Sequence, residues 1–402
     1  MRSFALFYLL LFFVVFAAIG LGSMLSFSKI IDKSETRRFK LVFLAIHFLI
    51  FVTFLLIYVY PFSVRDGNVN YSFYSVFNVF LLILFIVDIV MSLALILNSV
   101  FSTHRTNLFI YFGLIMSTGI TGGLAAGTLW GMCNFKINEI ELKYNNLPQG
   151  FNDYKILQLS DIHIGNINDR GKLIERAVEI IDDIDFDILV FTGDMVNNFS
   201  YETDGFIDLF RDLTSCCPSF SILGNHDYGD YTNWKSDYEK ENNFNAIITA
   251  LKTMGFTVLR NEHEVIKHNC DSIFLVGVEN WGHPPFPQYA NLEKALFGIP
   301  DSTFTILLTH DPAHWESCVE NKKDIELTLS GHTHGLQWGI KLAGIPFSLS
   351  WLTRKYWGGL YSSGNSHLYV NTGLGTIGLP WRIDMLPEIT LFTLKRTEVD
   401  RK

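Results

Sequence analysis

An all-helical, membrane-type portion followed by a layered α/β domain is the architecture this sequence predicts, and three observations carry it. Long apolar runs occupy the chain up to about residue 133. From about residue 136, short β-rich runs alternate with helical stretches, the pattern of layered α/β domains. Five of those β-rich runs end directly in residues of metal-binding type. The predicted division is therefore 1–135 and 136–402.

Composition supports the split. The 402 residues are 49% hydrophobic and 15% aromatic, and the excess sits almost wholly in the first third. Residues 1–135 hold 8 Lys/Arg against 4 Asp/Glu, so they carry +4 and the remainder −13 of the total −9. An acidic second domain argues against nucleic acid as substrate or partner, because that binding rests on Lys and Arg neutralising phosphates. The five cysteines, Cys133, Cys216, Cys217, Cys270 and Cys318, form no zinc-ligand pattern. They are expected to be mostly buried free thiols.

Four apolar runs are read as helices over 4–27, 41–60, 74–100 and 107–132. Each reaches the roughly 20 residues needed to cross the hydrocarbon core, and a helix satisfies its own backbone polar groups there. The first run is longer than a usual signal-peptide core, which favours a retained helix. Orientation follows the Lys and Arg of short loops. The first loop holds Lys29, Lys33, Arg37, Arg38 and Lys40, the second only Arg65, and the third Arg105 beside His104. The first and third loops then face the cytoplasm, and after four crossings the second domain lies outside it. Arg2 opposes this mildly. Asp88 lies within the third run; an intramembrane acid invites a functional reading, but nothing in the sequence assigns it a role.

In the second domain, five runs lead into polar residues. They are 154–160 into Asp161-Ile162-His163, 186–192 into Gly193-Asp194, 219–223 into Gly224-Asn225-His226-Asp227, 304–309 into His310-Asp311, and 325–330 into Gly331-His332-Thr333-His334. Sites in open α/β sheets form beyond the carboxyl ends of strands, so five such ends converge on one cleft. Residues 169–184 read as an amphipathic helix with Leu173, Ile174, Ala177, Ile180 and Ile181 on one face. Gly193, Gly224 and Gly331 fall where a strand turns sharply.

The collected set is Asp161, His163, Asp194, Asn225, His310, His332 and His334. Imidazole, carboxylate and amide donors without thiolate suit Zn, Mn or Fe. Asp161 and His163 are two apart, so on extended chain both side chains face one way, and His332 and His334 repeat the spacing. A two-metal site needs one carboxylate touching both ions, and Asp194 is the best candidate for that bridge. The remaining histidines read as surface or core residues, with His283 and His314 as exceptions near the cleft.

The ordered set D-x-H, GD, GNHD, H and GHTH resembles the calcineurin-like metallophosphoesterase superfamily over about 150–395. The tail GGLYSSGNSHLYVNTGLGTIGLPWRIDMLPEITLFTL resembles its YkuE-like bacterial branch. The resemblance implies a four-layer α/β/β/α sandwich preceded by the helical membrane domain. It implies two divalent ions, one held by Asp161, His163 and His334, the other by Asn225, His310 and His332, with Asp194 shared. It also implies that His226 assists the leaving group rather than binding metal, and Asp227 is placed to orient it. The branch usually reads GHTHGGQ, whereas Leu336 stands at the second glycine here, which puts the local loop shape in question.

The implied activity is phosphoester hydrolysis by a multi-pass protein of a bacterial inner or plasma membrane, its catalytic domain extracytoplasmic. Residues 336–361, rich in Trp, Leu and Phe with Arg354 and Lys355, read either as an ordinary packed cap loop or as a membrane-facing lip, and the lip would point to a lipid or lipid-linked phosphoester. A UDP-2,3-diacylglucosamine-type pyrophosphatase is the alternative, with its lipid on the cytoplasmic face; a general phosphodiesterase on soluble substrates is another. A non-catalytic scaffold would show degraded ligands, and all seven are present. A transporter would need polar residues along several helices, and Asp88 is the only acid there.

Overall fold

The computed structural model describes residues 2–54, 71–102, 106–166, 172–282, 287–320, 324–342 and 345–397. Arg65, His104, Arg105 and His283 lie outside the described residues, as do 55–60 of the second apolar run and 169–171 of the amphipathic helix. The chain divides into two compact units, Met1–Ala126 and Gly127–Lys402.

The helices of the apolar portion are α1 (Arg2–Ser28), α2 (Thr36–Phe54), α3 (Tyr71–Phe101) and α4 (Leu108–Leu129). Among the described residues, two stretches, Val76–Phe101 and Leu108–Cys133, are long and apolar enough to cross a membrane, and Val14–Ser28 is a shorter apolar helix. α2 begins five residues ahead of the expected run. The Thr36 amide and hydroxyl both donate to the Asp32 carbonyl and close the first turn there. Small residues let α1 and α3 approach closely: a Cβ on Gly22 would fall 2.9 Å from Ser92 Cβ, and the Ser92 hydroxyl donates to the Ile19 carbonyl. Asp88 is buried and has a partner in His47 of α2, with Nε2 2.9 Å from its Oδ2.

The second unit is built on two six-stranded sheets. The first runs β1 (Lys136–Tyr144), β14 (Glu388–Arg396), β2 (Lys155–Leu159), β3 (Ile188–Phe191), β4 (Ser219–Ser221) and β5 (Thr257–Val258) in spatial order. The second runs β12 (Gly359–Ser363), β13 (Ser366–Val370), β9 (Leu327–Ser330), β8 (Thr305–Leu308), β7 (Asp271–Gly277) and β6 (Glu262–His268). A two-stranded ribbon, β10 (Ile340–Leu342) and β11 (Ile345–Phe347), stands apart from both.

Three apolar layers hold these sheets. Ile156, Val190, Ile222, Ile306 and Leu329 are among the residues packed between the two sheets. Helices α5 (Lys172–Asp182), α6 (Ile207–Thr214) and α7 (Asp237–Thr253) cover the outer face of the first sheet through Ile174, Ala177, Phe210, Leu213, Ile247 and Leu251. On the second sheet, α8 (Leu292–Leu296) and Trp315 pack over Val276, Leu307 and Val370. Each fully buried aliphatic side chain contributes roughly 1.5–3 kcal/mol. The result is the expected α/β/β/α sandwich.

Register explains why the strand ends meet. β2, β3 and β4 are parallel, with Leu159 beside Phe191 and Phe191 beside Ser221. In the second sheet Leu308 lies beside Leu329, and Ser330 beside Val370. The loops that follow therefore leave from one edge of each sheet. The five cysteines are free, as expected, but they depart from the expected burial: none is fully buried, and Cys133, Cys216 and Cys270 are exposed. These three sit at chain turns rather than on core-facing strands.

Candidate metal centre

Five of the seven collected residues have left-handed backbone, with φ of 50° at Asp161, 47° at His163, 62° at Asp194, 73° at His332 and 51° at His334. Non-glycine residues enter that region rarely and at a cost, and such strain concentrates at functional sites. The extended-chain spacing expected for Asp161/His163 and His332/His334 is thus replaced by tight turns. Those turns are fixed by neighbours. The Asp161 amide donates to the Gly193 carbonyl and the His163 amide to that of Asp194. Gly224 is required because a Cβ there would strike the Asp194 carboxylate, and Gly331 because one would strike Ser160 Oγ and Asp161 Oδ2.

The side chains gather into two groups whose donor atoms lie within 4.8 Å of one another, Asp161/His163/His334 and Asp194/His310/His332. In the first, His163 Nε2 is 3.1 Å from His334 Nε2, and His334 Nε2 is 3.3 Å from Asp161 Oδ1. In the second, His310 Nε2 is 3.0 Å from Asp194 Oδ2. Asn225 joins that group, its Oδ1 lying 2.7 Å from His332 Nδ1 and 3.1 Å from His310 Nε2. The same Asp194 Oδ2 is 3.6 Å from His163 Nε2 in the other group. One carboxylate oxygen therefore stands between the two clusters. The donors, imidazole nitrogens with carboxylate and amide oxygens, fit borderline divalent ions.

At three of the four imidazoles the electrostatics agree with that fit. Burial pushes His163 down to about 3 and His332 to about 4, and it holds His334 well below its usual value. These rings are neutral near pH 7, the form that offers a lone pair to a cation. Burial would also depress His310, but the Asp194 carboxylate overrides it and raises His310 to about 10. Burial works to raise Asp194, and the imidazoles of His310, His226 and His163 outweigh it and hold it well below the carboxylate range. Burial lifts Asp161 to about 6 against the pull of His310. The His310 Nδ1 donates to the Thr192 carbonyl at 2.7 Å, which turns its Nε2 to the cluster.

His226 lies beside the first group, its ring edge-on to His163 with centroids 4.9 Å apart, and it stacks on Tyr231 at 4.3 Å. Its Nδ1 donates to the Asn197 carbonyl at 2.8 Å. The orienting group is thus Asn197, not Asp227 as expected. Asp227 instead accepts the backbone N–H groups of Asp194, Met195, Val196 and Gly224. Its geometry follows from position: the tight turn after β4 points residue 227 back under the loop that carries Asp194.

Two arginines join the centre from distant sequence. Arg382 is fully buried, and its guanidinium donates to the carbonyls of Gly375 and Thr372 and lies 3.3 Å from His334 Nδ1. Arg354 NH2 is 3.1 Å from His332 Nε2, and its NH1 is 3.8 Å from Asp311. Only Arg354 carried a signal, as a basic residue in the aromatic 336–361 stretch. In that stretch Trp351 and Leu352 are 63% and 68% exposed, whereas Trp357 is buried, with its carbonyl accepting the Thr333 hydroxyl. Leu336 takes φ 53°, so the residue at the glycine position adopts the glycine's conformation. His314 belongs to neither group; it is buried, stacked on Trp281 at 4.8 Å, with Nδ1 3.0 Å from Thr309 Oγ1.

A family model described as calcineurin-like phosphoesterase matches residues 154–336. The "Uncharacterized metallophosphoesterase YkuE" of Bacillus subtilis is 32% identical over 296 residues, covering 69% of this chain and 96% of its own. The "Phosphodiesterase YaeI" of Escherichia coli is 32% identical over 247 residues, covering 60% of this chain and 82% of its own. A "Transmembrane protein with metallophosphoesterase domain" of Danio rerio is 29% identical over 271 residues, covering 65% of this chain and 57% of its own.

Proposed function

The chain belongs to the calcineurin-like phosphoesterase family, and from that premise we propose that it hydrolyses phosphoester bonds at a two-cation centre held by Asp161, His163, Asp194, Asn225, His310, His332 and His334. The observation that carries this is the placement of Asp194 Oδ2, 3.0 Å from His310 Nε2 and 3.6 Å from His163 Nε2, between two groups each able to hold one ion. Two divalent ions there would supply a deprotonated water near neutral pH and neutralise charge on the phosphoryl oxygens; Zn, Mn and Fe all suit the donors.

The chain's own part is positioning and proton transfer. Asp161, His163 and His334 would hold one ion, Asn225, His310 and His332 the other, and Asp194 would be shared. His226 is the proton donor to the departing alkoxide. Asn197 accepts from its Nδ1, which directs Nε2 toward the substrate. Tyr231 fixes the plane of the ring by stacking. Asp227 organises the Asp194 and Gly224 backbone, and so acts through the ligands rather than on the substrate.

The substrate reading is a phosphoester of a membrane lipid. Leu336, Leu349, Trp351 and Leu352 are exposed on the segment that also brings Arg354 to His332. Apolar side chains beside a cation suit a phosphate with acyl chains attached. The name of the Escherichia coli relative favours a diester. With 1–135 as a multi-pass anchor and 136–402 as the catalytic domain, the Lys and Arg between the first two apolar runs support a location of that domain outside the cytoplasm. A cytoplasmic location would instead favour the diacylglucosamine pyrophosphatase.

The test uses detergent-solubilised full chain with Mn or Zn and a panel of lipid and soluble phosphodiesters. Asp194→Asn is expected to abolish turnover of every substrate. The Trp351→Ser/Leu352→Ser variant is expected to lose lipid turnover at least tenfold and keep soluble turnover. Equal loss on both substrate types would overturn the lipid reading and leave the hydrolase.

A further inference from the structure

The apolar unit contains a cavity with a chemistry of its own. It measures about 680 Å³ and lies where α1 ends and α2 begins, against α3. That size falls within the roughly 300–1,000 Å³ of small-ligand sites. Lys29, Lys33 and Lys40 line it together with Leu25, Leu95 and Ile96, and it is largely open to the surface.

The lysines are the informative part. Asp32 and Glu35 lie on the same loop, yet none of the three ammonium groups forms an ion pair or hydrogen bond among the described residues. Three like charges facing one cavity repel one another, and an anion between them relieves that. The hydroxyls nearby do not compete for it as donors: Ser28 Oγ donates to the Met24 carbonyl and Ser99 Oγ to that of Ile96.

The apolar lining selects among anions. Leu25 is 41% exposed and Ile96 56%, and Leu21, one turn earlier on α1, is 52% exposed. A free anion would leave this apolar wall in water. A phosphate carrying acyl chains covers it, and the chains continue along α1. We propose that Lys29, Lys33 and Lys40 bind the phosphate headgroup of an anionic membrane lipid, with Leu25, Leu95 and Ile96 against its acyl chains. Basic pockets between membrane helices on the cytoplasmic side take such headgroups, and the lysine-rich first loop is the cytoplasmic one by the same charge rule. The site rests on the membrane reading of α1–α3 and is independent of the hydrolase.

The experiment uses the full-length chain in detergent and in floated vesicles. Native mass spectrometry compares retention of phosphatidylglycerol, phosphatidylcholine and inorganic phosphate. Lys29→Gln/Lys33→Gln/Lys40→Gln is set against Arg37→Gln/Arg38→Gln, which removes charge from the start of α2 but not from the cavity. Phosphatidylglycerol is expected to bind at least tenfold tighter than phosphatidylcholine. The lysine variant should lose that preference, and the arginine variant should change it less than twofold. Lys33→Gln alone serves if the triple variant misfolds, with a partial loss expected. Equal effects in the lysine and arginine variants, no lipid preference, or equal retention of inorganic phosphate would each overturn the headgroup site. Protein that fails to float even with phosphatidylcholine vesicles would overturn the membrane reading beneath it.

Discussion

His226 and Asp227 are adjacent in sequence, yet the ring is part-exposed beside the first group while the carboxylate is buried under a turn. Asp227 satisfies four backbone N–H groups, and charge-assisted bonds of this kind contribute about 1.5–3 kcal/mol each. Burial and then the charge of Asp194 lift it to about 7, so its burial strains the ionised form that those donors favour. The two residues should therefore fail differently. His226→Ala is expected to lower kcat by about 10² to 10⁴, the usual worth of general acid–base catalysis, with two metals still bound per chain. Asp227→Asn turns an amide N–H toward backbone donors, and is expected to cost about 3 kcal/mol and to lose metal. Elemental analysis beside kinetics separates them, and full metal content in Asp227→Asn would contradict the backbone role.

At the scale of elements, the centre is made by strand ends, and this is why the sequence exposed it. Each of the five runs stops at a polar residue because the strand interior is buried on both faces: β2, β3, β8 and β9 carry buried residues at nearly every position. A polar side chain directly after such a run needs a partner, so Asp161, Asp194, Asn225, His310 and His332 could be read without coordinates. Residues whose partners come from irregular chain could not. Arg382 reaches His334 from a loop after β13, Asn197 presents a backbone carbonyl that any residue type could supply, and the fold alone decides that Trp357 turns inward. The start of α2 was also hidden, because Arg37, Arg38 and Lys40 read as loop until the Asp32 carbonyl closes the turn. Strand ends also make glycines decisive. Gly331→Ala would press a methyl group onto Ser160 and Asp161, an overpacking cost of about 1–3 kcal/mol. It is expected to bind one metal per chain instead of two; retention of both would mean that β9 shifts freely.

On the scale of the whole molecule, the proposed ligands are drawn from both sheets: Asp161, Asp194 and Asn225 follow β2, β3 and β4, while His310 and His332 follow β8 and β9. Besides the packed layer of Ile156, Val190, Ile306 and Leu329 and the Gln158 Nε2 donation to the Ser330 carbonyl, the cluster itself ties the two sheets at this edge. Chelation is expected to lower the unfolding temperature of the second unit and to speed hydrogen exchange in 161–166, 193–198 and 331–337, leaving α5 and α7 unchanged. Uniform exchange across the unit would contradict a tie localised to one edge. The order of these segments has a further result. Asp161 emerges from the ribosome well before His332, His334 and Arg382, so a chain released only through β8 has no finished site. A cation captured during translation would find only a partial cage, and the enzyme becomes chemically competent only once the chain has been released through Arg382.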